Sequence, residues 1–493
     1  MAVFLYLAII SFGFYLRIKP RLKNPYYGTD AWYFLLAVGK FREQRTLPFR
    51  IPYYVLDEEE QYYPPGFFVL LAALPQKFLK KFYWLISPAI DTAQIPVLMA
   101  FIVLLTGNTF MALAAGLIYA LTPTVIEEGF SLNSRGFGSL FFTLTALGVF
   151  MWARTGIFYY MVLSVCAGVL VVFTHKMTTQ ALLVFLPALS VINRDPRFFY
   201  LLLYIIAVTF VISGKYYVEI LKRHAEIIAF WKKNLYNLKA HPVYDSPVYG
   251  EEKLWKKDTY FKDLIKIDIM TPLRIISPNP FLAFSLLAPF FAVWQAGYGF
   301  FLWWGAVVFA WAMLTLFVPG LQIFGEWYKY LKLTAFPAAF ASACFLANMK
   351  EKGGTPVVLV LFIFFALAAG YRIIMSYRWD EKNKNQSIGK PLFKILDFLK
   401  DSPADGVACL PYYLADAVAY FCRKKVLWGS HSSGWDMLEE CYPVFRSPVE
   451  KIAEKYNMNF LLLETGYVKP SDIGFENIQP VLKEGTYLLY KLR

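Results

Sequence analysis

The sequence predicts a polytopic α-helical membrane protein of about eleven spans, up to about thirteen, with a helical first external loop beside the membrane and a small C-terminal α/β soluble domain. Three observations predict it. Hydrophobic residues make up 58% of the 493 positions and charged residues only 17%, against roughly 25% in soluble domains. Apolar runs of about 17–25 residues, the length that crosses a bilayer, recur along most of the chain. Beyond residue 380 the composition changes, and apolar runs of strand length alternate with helical patterns.

The first apolar run covers residues 1–16. It has neither a basic leader nor a small-residue cleavage site and reads as an uncleaved span. Residues 24–66 follow as a polar, aromatic loop that holds Gly28-Thr29-Asp30-Ala31-Trp32 and closes on Tyr62-Tyr63-Pro64-Pro65-Gly66. Within it, 30–40 mixes apolar and polar positions at helical spacing, which predicts a helix lying flat at the interface. The segment 66–75 is too short to span securely and reads as a juxtamembrane helix.

Clearer spans fall at 88–106, 109–125, 136–153, 157–173, 178–192, 199–213, 280–294, 300–317, 331–346 and 356–374. A polar insert rich in Lys and Tyr separates two of them at 214–278. The chain thus divides into a membrane part, 1–379, with external loops at 17–87 and 214–278, and a soluble part, 380–493. In the tail, 407–410, 425–428, 460–463 and 487–490 read as strands, and 391–400, 413–421 and 448–456 as helices. Asn385-Gln386-Ser387 fits a glycosylation sequon, a pattern common by chance.

A cytoplasmic N-terminus puts the loops with Asp30, Glu127/Glu128/Arg135, His175/Lys176 and Glu326/Lys329 on the extracytoplasmic face, together with the tail. The short loops opposite then carry Arg154, Arg194, Arg197, Lys350 and Lys352, as the positive-inside bias requires. Two features oppose it: Arg17, Lys19, Arg21 and Lys23 follow the first span, and the insert is basic. Long loops translocate regardless of charge, and the assignment gathers every polar motif on one face.

The net charge of +14 does not imply nucleic acid, because no phosphate loop, RNA-binding signature or zinc spacing accompanies it. Basic residues flank spans and meet anionic lipid headgroups, so the expected partners include membrane lipids and exclude nucleic acid. Of the five cysteines, Cys166 and Cys344 lie in apolar runs as packing residues. Cys409, Cys422 and Cys441 can form at most one bridge among themselves. No CxxC is present.

Asp30 is the leading catalytic candidate. Its competing role is to cap a helix. Tyr26-Tyr27 and Trp32-Tyr33 flank it and suit stacking on sugar or prenyl surfaces. Glu127, Glu128 and Arg135 form a second polar island, where Arg135 could hold a phosphate through its planar fork or the three could be a solvated turn. His175 and Lys176 sit at a span edge, as phosphate contacts or as snorkelling interfacial residues. Glu326 and Lys329, one turn apart, could equally form a local ion pair.

The ordered set resembles the GT-C integral membrane glycosyltransferases that use polyprenyl-phosphate-linked sugars, among them protein O-mannosyltransferases, lipid A aminoarabinose transferases and oligosaccharyltransferases. The residues that carry the resemblance are GTDAW, YYPPGFFVLLAALP, TPTVIEEGFSLNSRGFG, THKMTTQ and GEWYKY. It departs from the family at Lys329, where arginine is frequent, and lacks the oligosaccharyltransferase WWDYG signature; Gly434-Trp435-Asp436 is a faint echo. Transfer of a whole oligosaccharide to asparagine is therefore disfavoured.

The resemblance implies transfer of a sugar from a polyprenyl-phosphate donor to a lipid, glycan or protein acceptor by direct, inverting displacement. Asp30 would be the base. Tyr63, Glu128, Arg135, His175, Lys176, Glu326 and Lys329 would contact substrate. Some members of that family use a divalent cation and others do not; where one is used, Mg or Mn would sit at Asp30 and Glu128. The rival readings are a lipid-linked polysaccharide ligase or polymerase, a scaffold, and a transporter or flippase. The last would carry charges in mid-span and internal repeats, and the sequence displays few of the former and no convincing repeat.

Overall fold

A computed structural model describes residues 2–57, 60–237, 248–250, 270–287, 298–351, 355–382, 387–431 and 435–492. Residues 238–247 and 251–269 of the insert 214–278, the sequon Asn385, the end of the run 280–294 and Gly434 lie outside the described residues. The chain folds as two units. One comprises Met1–Pro25, Phe82–Gly214 and Lys266–Asn383; the other comprises Tyr26–Lys81, Lys215–Ile265 and Lys384–Arg493. The grouping follows contact rather than chain order, so the first loop joins the tail.

Among the described residues, seven helices are long and apolar enough to cross a membrane: Val3–Arg21, Gln76–Thr106, Arg135–Thr155, Lys176–Asn193, Tyr298–Phe317, Trp327–Lys350 and Leu359–Lys382. The chain is an integral membrane protein. Three further expected spans fold as shorter apolar helices, Thr109–Ala120, Phe158–Thr174 and Arg197–Ser213. Thr109–Ala120 is bounded by local chemistry. The Asn108 side chain accepts from the Met111 N–H at 3.0 Å, and Pro123 begins a separate helix, Pro123–Glu128.

Small residues let these helices approach closely. A Cβ at Gly148 would lie 2.3 Å from the Ser164 hydroxyl, so Arg135–Thr155 and Phe158–Thr174 meet at a position only glycine allows. Aromatic rings fill the core between Tyr298–Phe317 and Ala335–Glu351, with Phe301 on Phe340 at 3.9 Å and Trp304 on Phe336 at 5.6 Å.

The basic cluster after the first span has a packing explanation. Arg17 is buried and donates to the carbonyls of Gly13 at 2.7 Å and Tyr119 at 3.4 Å. Arg21 forms a buried ion pair with Asp380. Lys23 reaches Glu381 at 3.0 Å. Arg17 thus ties the first helix to Thr109–Ala120, and Arg21 and Lys23 tie the chain just after it to the end of Thr355–Lys382.

The second unit is built on a four-stranded sheet in the order Val407–Leu410, Phe460–Glu464, Tyr487–Lys491, Leu482–Glu484; the first pair is parallel and the other two are antiparallel. Lys390–Asp401 and Ala415–Cys422 pack on it. The predicted strand at 425–428 does not join the sheet as a strand. Lys425 and Val426 make isolated bridges, to Gly406 and to Tyr54. Val55 and Leu56 donate to the Val426 and Leu427 carbonyls at 2.9 Å each, so the first loop uses the pairing edge. All five cysteines are free, and Cys166 is exposed rather than packed.

The segment expected to lie flat at an interface is the helix Thr29–Gln44, but Ala31 through Val38 are all buried. Gly66–Ala73 and Ala415–Cys422 cover it. Trp32 packs on Phe421 at 4.9 Å and is 2% exposed. Trp32 and Tyr33 are thus core residues, not open platforms for a sugar.

Candidate functional site

In the membrane unit, three of the polar islands fall on adjoining element ends. The turn from Glu128 to Arg135 is ordered by Asn133. Its amide donates to the carbonyls of Glu128 at 2.8 Å and Ser131 at 2.9 Å, and its oxygen accepts the Arg135 N–H at 2.9 Å. Arg135 then opens its helix with the guanidinium 2.5 Å from Glu128 Oε2, the two side chains 23% and 9% exposed. Glu127 points elsewhere: Arg372 holds it through two bonds of 2.7 and 3.2 Å, and Ser376 adds a third. The two adjacent acids therefore have separate tasks.

His175 is the N-cap of Lys176–Asn193. Its Nδ1 lies 3.0 Å from the Thr178 hydroxyl and accepts from the Thr178 N–H at 3.4 Å. A Cβ at Gly138 would lie 3.0 Å from the His175 Cβ, so Arg135–Thr155 and Lys176–Asn193 touch here. Lys176 is the first residue of that helix.

Glu326 is the N-cap of Trp327–Tyr330 and makes the local ion pair with Lys329 that its spacing allowed. It also accepts from the Tyr328 hydroxyl at 2.8 Å. Tyr330 donates to Gln180 at 2.6 Å, which fastens this turn to Lys176–Asn193. Pro123–Glu128 packs against Trp327–Tyr330. Arg135, Lys176 and Lys329 are thus carried by neighbouring element ends, an arrangement suited to an anionic group.

The sequence reading missed a buried pair beside this cluster. Lys332 reaches Asp91 at 2.8 Å, with the two side chains 2% and 0% exposed. A Cβ at Gly136 would lie 3.0 Å from Asp91 Oδ1, and one at Gly129 would lie 3.4 Å from Oδ2. Asp91 is the sole acid in the run 88–106, which is the signal that could have found it. Together with Arg21–Asp380, it adds buried charges that the sequence reading had not counted.

The second unit brings Asp30 and Tyr63 together around His431. Gly28 holds the N-cap position of Thr29–Gln44 with φ 94°, so Asp30 is a first-turn residue and not the cap. Negative charge is stabilised in that turn by the helix dipole. Asp30 Oδ1 lies 3.4 Å from His431 Nε2, the side chains 18% and 22% exposed. The His431 ring lies 4.8 Å from Tyr33, 4.9 Å from Tyr63 and 5.3 Å from Phe34. Burial holds the Tyr33 phenol well above its ordinary value, which keeps it neutral. The Tyr63 carbonyl accepts from the Tyr216 hydroxyl at 3.2 Å. His431, in WGSHSSGWD, was passed over because nothing local distinguishes it.

The expected cation ligands fit unequally. Among the described residues, no three His, Cys, Asp or Glu side chains stand together to hold a metal ion. Glu128 is already neutralised by Arg135, which makes it a poor ligand. Asp30 beside His431 retains the chemistry for Mg²⁺ or Mn²⁺ held by one carboxylate and substrate phosphates.

No family model and no curated protein matches the chain. Solved structures do. The apo oligosaccharyltransferase of Archaeoglobus fulgidus superposes with a TM-score of 0.59 at 12% identity, over 93% of this chain and 69% of that one. The archaeal oligosaccharyltransferase AglB from the same organism, with an inhibitory peptide and a dolichol-phosphate, gives 0.53 at 11% identity over the same shares. ArnT from Cupriavidus metallidurans, bound to undecaprenyl phosphate, gives 0.60 at 11% identity over 100% of this chain and 98% of that one. From its first span to its C-terminal sheet, the chain has the fold of the GT-C membrane glycosyltransferases.

Proposed function

We propose that the protein is a membrane glycosyltransferase that moves a sugar from a polyprenyl-phosphate-linked donor to an acceptor on the extracytoplasmic face. The observation that carries this reading is the end-to-end likeness to ArnT, whose structure holds undecaprenyl phosphate. The grouping of Arg135, Lys176 and Lys329 agrees with it, because fixed cations act most strongly where a leaving phosphate gathers charge.

In this mechanism Asp30 takes the proton of the acceptor hydroxyl or amine as that atom attacks the anomeric carbon. The bond to the polyprenyl phosphate breaks on the opposite face, and the configuration inverts. Arg135 grips phosphate oxygens through its planar fork, with Glu128 fixing its orientation; Lys176 and Lys329 act as point charges. His175 places Lys176 by capping its helix, and Glu326 places Lys329 by pairing with it directly. Tyr63 lines the acceptor side next to Asp30. A divalent cation, where used, would be held at Asp30 and would supply charge neutralisation to the donor phosphate. The topology has about eleven spans, with the tail shaping acceptor access.

A transport reading draws on the buried charges, but Asp91–Lys332 and Arg21–Asp380 are each mutually paired, as static ties would be, and so is the half-buried Glu127–Arg372. The test is transfer from a panel of radiolabelled polyprenyl-phosphate sugars by the purified protein in liposomes. Labelled acceptor product supports the proposal. Donor crossing the bilayer without sugar release supports transport instead.

A further inference from the structure

His431 comes from the tail, yet it stands against the acid of the first loop, and a specific piece of architecture puts it there. The segments 53–56 and 426–427 are joined by backbone bonds: Val426 donates to the Tyr53 carbonyl at 2.7 Å, and Val55 and Leu56 donate back at 2.9 Å. Behind this join lies Asp416, fully buried in Ala415–Cys422. One of its oxygens accepts the Tyr54 hydroxyl at 2.7 Å and the other accepts the Ser430 N–H at 3.1 Å. A buried carboxylate is thus shared between the first loop and the residue that precedes His431.

Gly429 is part of the same device. A Cβ there would lie 2.5 Å from the Tyr54 ring and 2.8 Å from Asp416 Oδ1, so only glycine lets the chain pass. The backbone is therefore fixed immediately before His431, and the ring is then boxed by Tyr33, Tyr63 and Phe34. Its Nε2 is buried and makes no hydrogen bond among the described residues; the carboxylate beside it is Asp30, at 3.4 Å. A buried polar atom without a bond carries a cost. Holding one against a carboxylate is what a site would do if the bond tightens when substrate arrives.

We infer that His431 is the positioning residue of Asp30: its Nε2–H donates to Asp30 Oδ1 and turns Oδ2 toward the acceptor, while Tyr54, Asp416 and Gly429 hold His431 in place. The imidazole keeps its own proton throughout. The acceptor proton goes to Asp30, and the sugar bond forms and breaks as in the mechanism above. This inference rests on Asp30 being the base, so its test must separate the two.

The experiment compares wild type, Asp30→Asn, His431→Ala, His431→Gln and Tyr54→Phe as full-length protein in liposomes, with kcat and KM for the sugar donor and the thermal midpoint of each. His431→Ala is expected to lower kcat about 10–100-fold, the usual loss when the partner that orients a functional group is removed. Donor KM should stay unchanged, and the thermal midpoint should fall with the packing lost by His431→Ala and stay nearer wild type in His431→Gln. His431→Gln, which keeps an N–H donor, should recover most of the rate, and added imidazole should partly restore His431→Ala but not Asp30→Asn. Tyr54→Phe should show a smaller loss in kcat in the same direction. Wild-type kcat in His431→Ala, or a loss that neither glutamine nor imidazole repairs, overturns the inference. If Asp30→Asn is inactive while His431→Ala is unaffected, only this inference fails. If Asp30→Asn is fully active, the assignment of the base fails first.

Discussion

Lys332 holds Asp91 through both carboxylate oxygens, at 2.8 and 3.0 Å, with neither side chain reaching solvent. A buried charge left without its partner is far worse than no charge at all. Asp91→Leu or Lys332→Met alone should therefore destabilise the protein by about 3–5 kcal/mol. The double variant Asp91→Leu/Lys332→Met should recover most of that loss. Chemical denaturation in detergent, read as a double-mutant cycle, checks it; simply additive losses would mean the two are not coupled.

Gly136 gives a second test of the same spot, because a Cβ there would lie 3.0 Å from Asp91 Oδ1. Alanine is the better helix former by about 1 kcal/mol, so an uncrowded site would be stabilised. Crowding should reverse the sign and cost about 1–3 kcal/mol. The cost should shrink in an Asp91→Ala background, where the oxygen is gone.

Arg135 is the cation with geometry for a bidentate phosphate contact, and Glu128 orients it at 2.5 Å. Arg135→Gln should weaken donor binding roughly 10–100-fold, from loss of a charged hydrogen bond worth about 1.5–3 kcal/mol. Arg135→Lys should repair this only in part. Binding of a labelled polyprenyl-phosphate sugar to each variant measures it, and unchanged affinity in Arg135→Gln would remove Arg135 from the donor site.

The tail carries a pH signature. Burial raises the Glu464 carboxyl above its ordinary value of 4.5, partly opposed by the Tyr413 hydroxyl that donates to it. The folded state therefore keeps this proton where the unfolded chain has lost it. Below the ordinary value both states are protonated and stability is unaffected. As pH rises from there through the raised folded value, the unfolded chain is favoured and stability falls. Glu464→Gln stays neutral, so its stability advantage over wild type should grow as pH rises across that window. Asp416 shifts in the same direction through burial, so the variant should retain some pH dependence. A constant difference between the two proteins at every pH would contradict the assignment.

The apolar helices were readable because span length is a local property of the chain. Their ends moved by a few residues, to Lys176 instead of 178 where His175 caps the helix, and to Ala120 instead of 125 where Pro123 begins a new one. The islands at Glu128, Arg135, Lys176 and Lys329 were readable as charges interrupting apolar runs. Asp91–Lys332 was not, since its members lie 241 residues apart and each looks solitary. The helix Thr29–Gln44 was misjudged for a related reason. Its mixed pattern suggested one wet face, but Ala415–Cys422, far along the chain, covers that face. His431 became visible only once the segment 425–428, bridged to the sheet edge at Lys425, paired with the first loop from Val426 onward. Long-range pairing of this kind leaves no local periodicity to read.

The central claim is that Asp30 is the base of a polyprenyl-phosphate-dependent sugar transfer. The most direct measurement is single-turnover transfer by wild type and Asp30→Asn in liposomes, with donor binding and thermal stability recorded on the same samples. The account predicts that Asp30→Asn keeps its fold and its donor affinity and loses transfer by about 10²–10⁴-fold, the usual worth of a positioned general base. Transfer at the wild-type rate by Asp30→Asn would contradict it.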